Sequence, residues 1–247
     1  MLIGNLPPTQ FDLNFRLAGI PVRVHPLFWL VALLLGMQLS PPLLVIWVPV
    51  VFASILVHEM GHALAIRAFG WWPSILLYSF GGLAIYQPTY RAPQKRILIL
   101  LAGPGAGFLF AAAICGAVKA SGYQLVAKVT PYGLMIVAPG LVKVSENLFW
   151  LTTFLLEVNI GWGLINLLPV YPLDGGQICS ELFELLRVPD GLVKSLWVSI
   201  VTAVAVVVYA LTRLQDFYLA AMFGYLAFSG FQTLQHYSGR GGGYGRW

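Results

Sequence analysis

Six apolar segments, each with few charged residues, follow one another along this chain. They cover residues 27–39, 43–69, 97–118, 147–168, 192–211 and 217–234. Roughly 20 apolar residues cross the hydrocarbon core of a bilayer as a helix, so only the first segment is too short to span without its neighbours. Because 59% of the residues are hydrophobic and only 9% are charged, an ordinary soluble enzyme and a disordered chain are excluded. We expect an all-α, multi-pass membrane protein with about six transmembrane helices.

Shorter stretches predict further elements around these spans. Residues 74–86 hold a Gly-Gly pair between β-favouring flanks and predict a small membrane-associated β-hairpin. Partial alternation over residues 15–25 predicts a short extended segment, and residues 177–187 predict a short helix at the membrane surface. We assign one domain to residues 1–237, followed by a Gly-rich tail, residues 238–247, that is expected to be disordered.

Basic residues are distributed unevenly between the two sides of the predicted bundle. If both termini are cytoplasmic, ten lie on the cytoplasmic side: Arg16, Arg23, Arg67, Arg91, Lys95, Arg96, Arg187, Lys194, Arg240 and Arg246. Four lie on the other side: Lys119, Lys128, Lys143 and Arg213. This asymmetry follows the positive-inside rule and predicts cytoplasmic termini. We attribute the net charge of +5 to topology and lipid headgroups, and expect no nucleic-acid partner.

One apolar segment carries three ionisable side chains, His58, Glu59 and His62, in an HExxH motif. Residues four apart share a helix face, so both imidazoles can bind one zinc ion. Glu59 projects beside them and can take a proton from zinc-bound water. Two histidines paired only with each other would leave three polar groups poorly compensated in an apolar span. The motif therefore predicts a zinc site inside the membrane.

A catalytic zinc usually has three protein ligands and an open position. Residues 63–145 contain no Asp or Glu, so the third ligand comes from later in the chain. The acidic candidates are Glu146, Glu157, Asp174 and Glu181. The HExxH span and the span over residues 147–168 run in the same direction, which brings their C-terminal ends to one side. Asp174 follows that end in a Pro- and Gly-rich break, whereas Glu157 lies about 16 Å towards the other face. Asp174 is therefore the preferred ligand.

Four blocks of sequence resemble the site-2 protease family of intramembrane zinc metalloproteases, of the M50 type. They are HEMGH at 58–62, NLLPVYPLDG at 166–175, SFGG at 79–82 and the lead-in GIPVRVHP at 19–26. A further block, AGPGAGF at 102–108, resembles the family's AGPxxNF pattern but has Gly107 where Asn is usual. The resemblance covers most of residues 15–235 and implies a protease without PDZ or CBS domains, in the plasma membrane of a bacterium.

The resemblance also implies roles for individual residues. His58, His62 and Asp174 would bind one zinc ion, and Glu59 would act as general base and acid on zinc-bound water. Asn166 would contact the substrate backbone. The substrate is expected to be a transmembrane segment of another membrane protein, as in regulated intramembrane proteolysis. Such a helix must unwind before it is cut, and the hairpin with Gly81 and Gly82 could offer a strand edge to the unwound segment.

Several alternatives stay open. The chain could be a zinc transporter, which would need further metal ligands along a path, or a non-catalytic protein that binds transmembrane segments, which the intact Glu59 argues against. The hairpin could simply pack against the spans, and Asn166 could be an interhelical hydrogen-bonding residue. Glu157 and Asn159, deep in a span, could give water access to the zinc, but we favour a satisfied interior pair.

Overall fold

The computed structural model describes residues 8–79, 81–90, 92–130 and 133–240. Its helices are α1 (Pro26–Leu35), α2 (Pro41–Ala68), α3 (Pro93–Ala120), α4 (Glu146–Asn166), α5 (Asp174–Leu185), α6 (Gly191–Tyr209) and α7 (Phe217–Arg240). Its strands are β1 (Leu13–Leu17), β2 (Ile20–Val24), β3 (Ser74–Tyr78), β4 (Gly81–Ile85), β5 (Val126–Thr130) and β6 (Gly133–Val137). The mainly helical architecture with a small β component agrees with the predicted fold class.

Four helices in the described part of the chain are long and apolar enough to cross a membrane. They are Pro41–Ala68, Pro93–Ala120, Glu146–Asn166 and Gly191–Leu214, the last of which includes the π-helical turn Ala210–Leu214 after α6. The prediction of about six spans is therefore not confirmed. Helix α7 is also 24 residues long, but tyrosines and glutamines such as Tyr218, Tyr225 and Gln232 reduce its apolar character.

Helix α1 is shorter than the apolar segment that contains it. His25 caps its start, since Nδ1 of His25 accepts a hydrogen bond from the Leu27 N–H at 3.1 Å, and Pro26 supplies a favourable first residue. Gly36 ends the helix, where its N–H bonds the carbonyls of Leu33 and Leu34. Ten residues give about 15 Å of helix, half the thickness of a hydrocarbon core.

Strands β1 to β4 form one sheet in that order. The predicted hairpin is confirmed as the antiparallel pair β3 and β4, in which Leu77 faces Gly82. The predicted extended segment is strand β2 with part of β1, which pair antiparallel. Strand β2 also pairs parallel with β3, with Val22 opposite Ile75. The sheet is therefore twice as wide as the hairpin alone, because it joins two segments separated by helices α1 and α2.

The chain divides into two compact units. The first unit comprises residues 1–91, 101–130 and 134–163, and its core packs one face of the sheet against α1 and α2. Buried members of this core are Ile20, Val22, Val24, Phe28, Ala32, Val51, Ile55, Ala63, Ile75 and Leu77. The alternating burial of β2, with Val22 and Val24 inside, follows from the two-residue period of a strand.

The second unit comprises residues 92–100, 131–133 and 164–247. Helices α6 and α7 form its main packing contact, and its core contains Val170, Ala203 and Phe223. Helix α5 confirms the predicted short helix, although it begins at Asp174, three residues earlier than expected.

The last helix extends past the predicted end of the domain at residue 237. Helix α7 continues to Arg240, so residues 238–240 of the predicted tail are helical, and residues 241–247 lie outside the described residues. Arg91 of the basic cluster and Phe80 in the hairpin turn also lie outside them. The connection before α4 contains strands β5 and β6, which form a separate two-stranded sheet.

Candidate metal centre

Helix α2 carries the HExxH motif in its C-terminal half. His58, Glu59 and His62 are 4%, 4% and 6% exposed, so all three ionisable side chains are buried. The four-residue spacing stacks the two imidazoles, and their Nε2 atoms lie 3.1 Å apart. Zinc binds imidazole nitrogens at about 2.0–2.1 Å, so two nitrogens this close together could both reach one ion. The pair therefore fits two ligand positions of one zinc ion.

Gly103 on helix α3 lies against these imidazoles. A Cβ at Gly103 would overlap Nε2 of His62 and lie 2.8 Å from Nε2 of His58. The missing side chain thus makes room for the two imidazole rings beside α3.

Gly61 allows the close approach of helices α2 and α3 beside the motif. A Cβ there would overlap the carbonyl oxygen of Ala102 and lie 2.7 Å from the Cβ of Ala106. Small residues at a crossing let two membrane helices pack backbone to backbone, and this crossing fixes the position of Gly103 relative to the histidines.

Gly82 on strand β4 lies against the catalytic candidate Glu59. A Cβ at Gly82 would overlap Cγ of Glu59 and lie 2.6 Å from its Oε1. Its neighbour Gly81 faces the indole of Trp162 instead, at 3.2 Å from the hypothetical Cβ. Of the two glycines predicted to contact substrate, Gly82 therefore has a direct steric reason to lack a side chain.

Asp174 begins helix α5 after the loop over residues 167–173. It is 8% exposed. A Cβ at Gly175 would overlap the carbonyl oxygens of Leu167 and Leu168, and a Cβ at Gly176 would overlap the backbone at Val170 and Tyr171. The two glycines therefore let the first turn of α5 pack directly on the preceding loop. This packing positions the backbone of Asp174.

His58, His62 and Asp174 together form a group that can hold one metal ion. Each offers one ligand atom, and these atoms all lie within 4.8 Å of one another. Two imidazole nitrogens and one carboxylate oxygen are a donor set typical of a catalytic zinc, which keeps a further position open. The donor set and its burial both fit the zinc ion that the sequence predicts.

The other acidic candidates are accounted for elsewhere. Glu181 is buried, and its Oε1 lies 3.2 Å from Nη1 of Arg96. Glu146 accepts a hydrogen bond from Nε1 of Trp150 at 3.4 Å, near the start of α4. Glu157 is exposed on α4, so the predicted interior pair of Glu157 and Asn159 is wrong, because residues two apart on a helix point to different faces.

Asn159 is buried and turns towards α2. Its Nδ2 donates to Oγ of Ser54 at 2.8 Å and to the carbonyl of Leu155. Ser54 lies one helical turn before His58 on α2. Across from it, a Cβ at Gly107 would lie 3.4 Å from the carbonyl oxygen and 3.6 Å from Oδ1 of Asn159. Gly107, which stands where the family pattern has Asn, therefore faces Asn159.

Four other polar or sulfur-containing residues have the following positions. Asn166 is the last residue of α4 and is buried. His25 caps α1 and packs edge-on against the ring of Tyr78, so it serves the fold. Cys115 and Cys179 are free cysteines.

Three residues beside the HExxH motif were not predicted from the sequence: Gly103, Gly61 and Ser54. The signal for Gly103 was present in the AGPGAGF block, which matched the family pattern around it. Motif spacing predicts functional side chains. Gly103 has no side chain, so spacing alone does not reveal that it makes room for two histidines.

Three comparisons with known proteins bear on this geometry. Residues 47–208 match the model of peptidase family M50. Rip3 of Mycobacterium tuberculosis is 31% identical over 180 residues, which cover 66% of this chain and 41% of that protein. Stage IV sporulation protein FB of Bacillus subtilis is 29% identical over 174 residues, which cover 67% of this chain and 48% of that protein. The chain thus spans less than half the length of these relatives.

The fold comparison covers nearly the whole chain. The site-2 protease from Methanocaldococcus jannaschii superposes with a TM-score of 0.55 at 21% identity, over 91% of this chain and 95% of the other. The family match extends from the helix that bears the histidines, through the hairpin and Asp174, into α6. The resemblance drawn from four short blocks is confirmed, and this chain belongs to peptidase family M50.

Proposed function

We propose that this protein is an intramembrane zinc metalloprotease that hydrolyses peptide bonds in or near transmembrane segments of other membrane proteins. The observation that supports it best is the buried group of His58, His62 and Asp174, with Glu59 adjacent to His58 on an apolar helix of 28 residues. Charged groups inside a membrane are costly and are kept for function.

Zinc, when bound, would polarise a substrate carbonyl and lower the pKa of an attacking water. The three ligands hold the ion, and the carboxylate of Glu59 takes the proton from the water. The same carboxylate then returns a proton to the leaving amine. Because Gly82 approaches Oε1 of Glu59 without a side chain, strand β4 runs past the proton-transferring atom.

Strand β4 supports the proposed mode of substrate binding. It ends the described sheet, in which its only partner is β3. An unwound segment in lipid needs new partners for its backbone groups, and an edge strand can supply them by β-augmentation. In this proposal Gly81 and Gly82 lie along that edge, and Asn166 contributes an amide near the metal.

The proposal extends to location and organisation. Four apolar helices support an integral membrane protein, and we propose a bacterial plasma membrane with both termini cytoplasmic. Residues 1–237 are the proposed protease domain. The partners are then a membrane-protein substrate and the lipid bilayer.

The test is a comparison of the parent protein with Glu59→Gln in cells that carry tagged transmembrane reporters, with fragments identified by mass spectrometry. Loss of fragments with Glu59→Gln, while zinc binding is retained, is the expected result. Gln232→Leu, a change at an exposed position on α7, serves as the control and should cleave normally. Cleavage that survives Glu59→Gln would overturn the mechanism, and zinc flux without cleavage would favour a transporter.

A further inference from the structure

The loop that leads into Asp174 is fastened to helix α6 through its middle. The N–H of Tyr171 donates to Oγ of Ser199 at 2.8 Å, and Ser199 is only 1% exposed. Next to it, Val170 is fully buried in the core with Ala203 and Phe223. Leu173 packs against the same core, and its N–H donates to the carbonyl of Val170 at 2.8 Å. Pro172, between Tyr171 and Leu173, has its carbonyl held by a different residue.

Gln177 holds the next part of the loop. It lies on the first turn of α5, three residues after Asp174, and its Nε2 donates to the carbonyl of Pro172 at 3.0 Å. Its Oε1 accepts a hydrogen bond from Nη2 of Arg96 at 3.2 Å. Only one orientation of the amide satisfies both contacts, because the flipped amide would oppose donor to donor and acceptor to acceptor. The carbonyl of Pro172 requires the NH2 group of Gln177, and Arg96 fixes the amide in that orientation from its other end.

Arg96 is itself held by a buried carboxylate. It lies on the first turn of α3, and its Nη1 is 3.2 Å from Oε1 of Glu181, whose side chain is 7% exposed. Gln177 and Glu181 are four residues apart, so the guanidinium binds two successive turns of α5. The planar fork of Arg makes such a double contact with fixed geometry, which Lys cannot reproduce.

We propose that Arg96 is a positioning residue for the zinc ligand Asp174, acting through Gln177 and the carbonyl of Pro172. This inference rests on the proposed function, in which Asp174 binds zinc. Arg96 touches neither metal nor substrate. Its loss should weaken zinc binding by releasing the backbone on both sides of Asp174, and it should leave substrate binding intact.

The experiment measures the zinc affinity of the full-length protein in detergent by competition with a chromophoric chelator. Gln177→Leu should weaken zinc binding about tenfold, in the range known for residues that orient metal ligands. Gln232→Leu, the same change at an exposed helical position of α7, should leave the affinity unchanged. Excess zinc should restore kcat in Gln177→Leu with KM unaltered, which a general loss of structure would not allow.

Arg96→Met removes a cation from the buried Glu181 and can fail to fold. The double variant Arg96→Met/Glu181→Leu removes both charges and still leaves the Gln177 amide unoriented, so it should show the same tenfold loss. Adding Gln177→Leu to it should cause no further loss, because all three residues act along one chain of contacts.

Asp174→Ala separates the two possible failures. If Asp174→Ala abolishes tight zinc binding while Gln177→Leu and the double variant stay within twofold of the parent, the positioning role is wrong and the proposed function stands. If Asp174→Ala itself leaves the zinc affinity unchanged, Asp174 is not a ligand, and both proposals fall.

Discussion

The Nε2 atom of His62 lies beside Gly103, in the space that a Cβ atom would occupy in any other residue. The imidazole of His62 can take this position only because residue 103 on the neighbouring helix has no Cβ atom. The site depends as much on this gap as on the donors that surround it.

Gly103→Ala should abolish tight zinc binding. The added methyl group would overlap Nε2 of His62 and crowd Nε2 of His58, so both imidazoles must turn away. We expect a loss of at least about 100-fold in zinc affinity, the upper end of effects on ligand orientation. Gly105→Ala in the same helix is the control, because a Cβ there meets nothing within 4 Å. Equal affinities for the two variants would contradict the role of Gly103.

Gly82→Ala should reduce turnover while preserving the metal. Its methyl group would displace the Glu59 carboxylate or push strand β4 away from α2. We expect kcat to fall by at least about tenfold, since general acid–base catalysis contributes about 10²–10⁴-fold, with zinc content close to one per chain. Gly81→Ala, where the new atom only presses on Trp162, should cost less. A loss of zinc in Gly82→Ala would show that β4 supports the ligands and not Glu59.

Gly107→Ser should stabilise the protein more than Gly107→Ala. Oδ1 of Asn159 is buried and has no hydrogen-bond partner among the described residues, and a hydroxyl on the Cβ at 107 would come within reach of it. Satisfying a buried acceptor is worth about 1–3 kcal/mol, which exceeds the advantage of Ala in helix propensity, below about 0.7 kcal/mol. Unfolding of both variants in detergent measures the difference. In an Asn159→Leu background Ala should become the better residue, and the hydrogen bond is absent if the order does not change.

Removal of zinc should lower the thermal stability of the protein. A ligand that binds only the folded state contributes about 2.7 kcal/mol at a hundredfold excess over its Kd, so EDTA should lower Tm and zinc should restore it. Glu59→Gln keeps all three ligands and should respond like the parent. His62→Ala should have the same Tm with and without EDTA. A zinc response that persists in His62→Ala would locate the stabilising ion elsewhere.

Local spacing predicted much of the site, and non-local pairing explains what it missed. His58 and His62 are neighbours on any helix, and the hairpin of β3 and β4 follows from a turn signal within a few residues. The parallel pairing of Val22 with Ile75 joins residues more than fifty positions apart, so no window of sequence contains it. For the same reason the sequence predicted the hairpin and the extended segment over residues 15–25 as separate elements, without their pairing in one sheet.

The errors in helix assignment also have physical causes. Apolar composition predicted a span over residues 27–39, but α1 ends at its C-cap Gly36, so the helix covers only part of the segment. Glu157 was assigned to the interior because a charge in a span is costly, yet the turn of α4 that buries Asn159 leaves Glu157 exposed. Composition identifies which segments favour lipid, and it does not identify which face of each helix meets its neighbours.

The five residues of strand β4 set a length requirement on anything that pairs along it. Five residues rise about 7.5 Å in a helix and about 17 Å in a strand. A bound segment that extends along all of β4 therefore grows by about 9 Å, which equals about six residues of remaining helix. A bilayer of fixed thickness cannot hold this surplus, so part of the substrate has to slide out into the headgroups or tilt. Substrates with polar residues close to one end of their membrane helix can make that shift most easily.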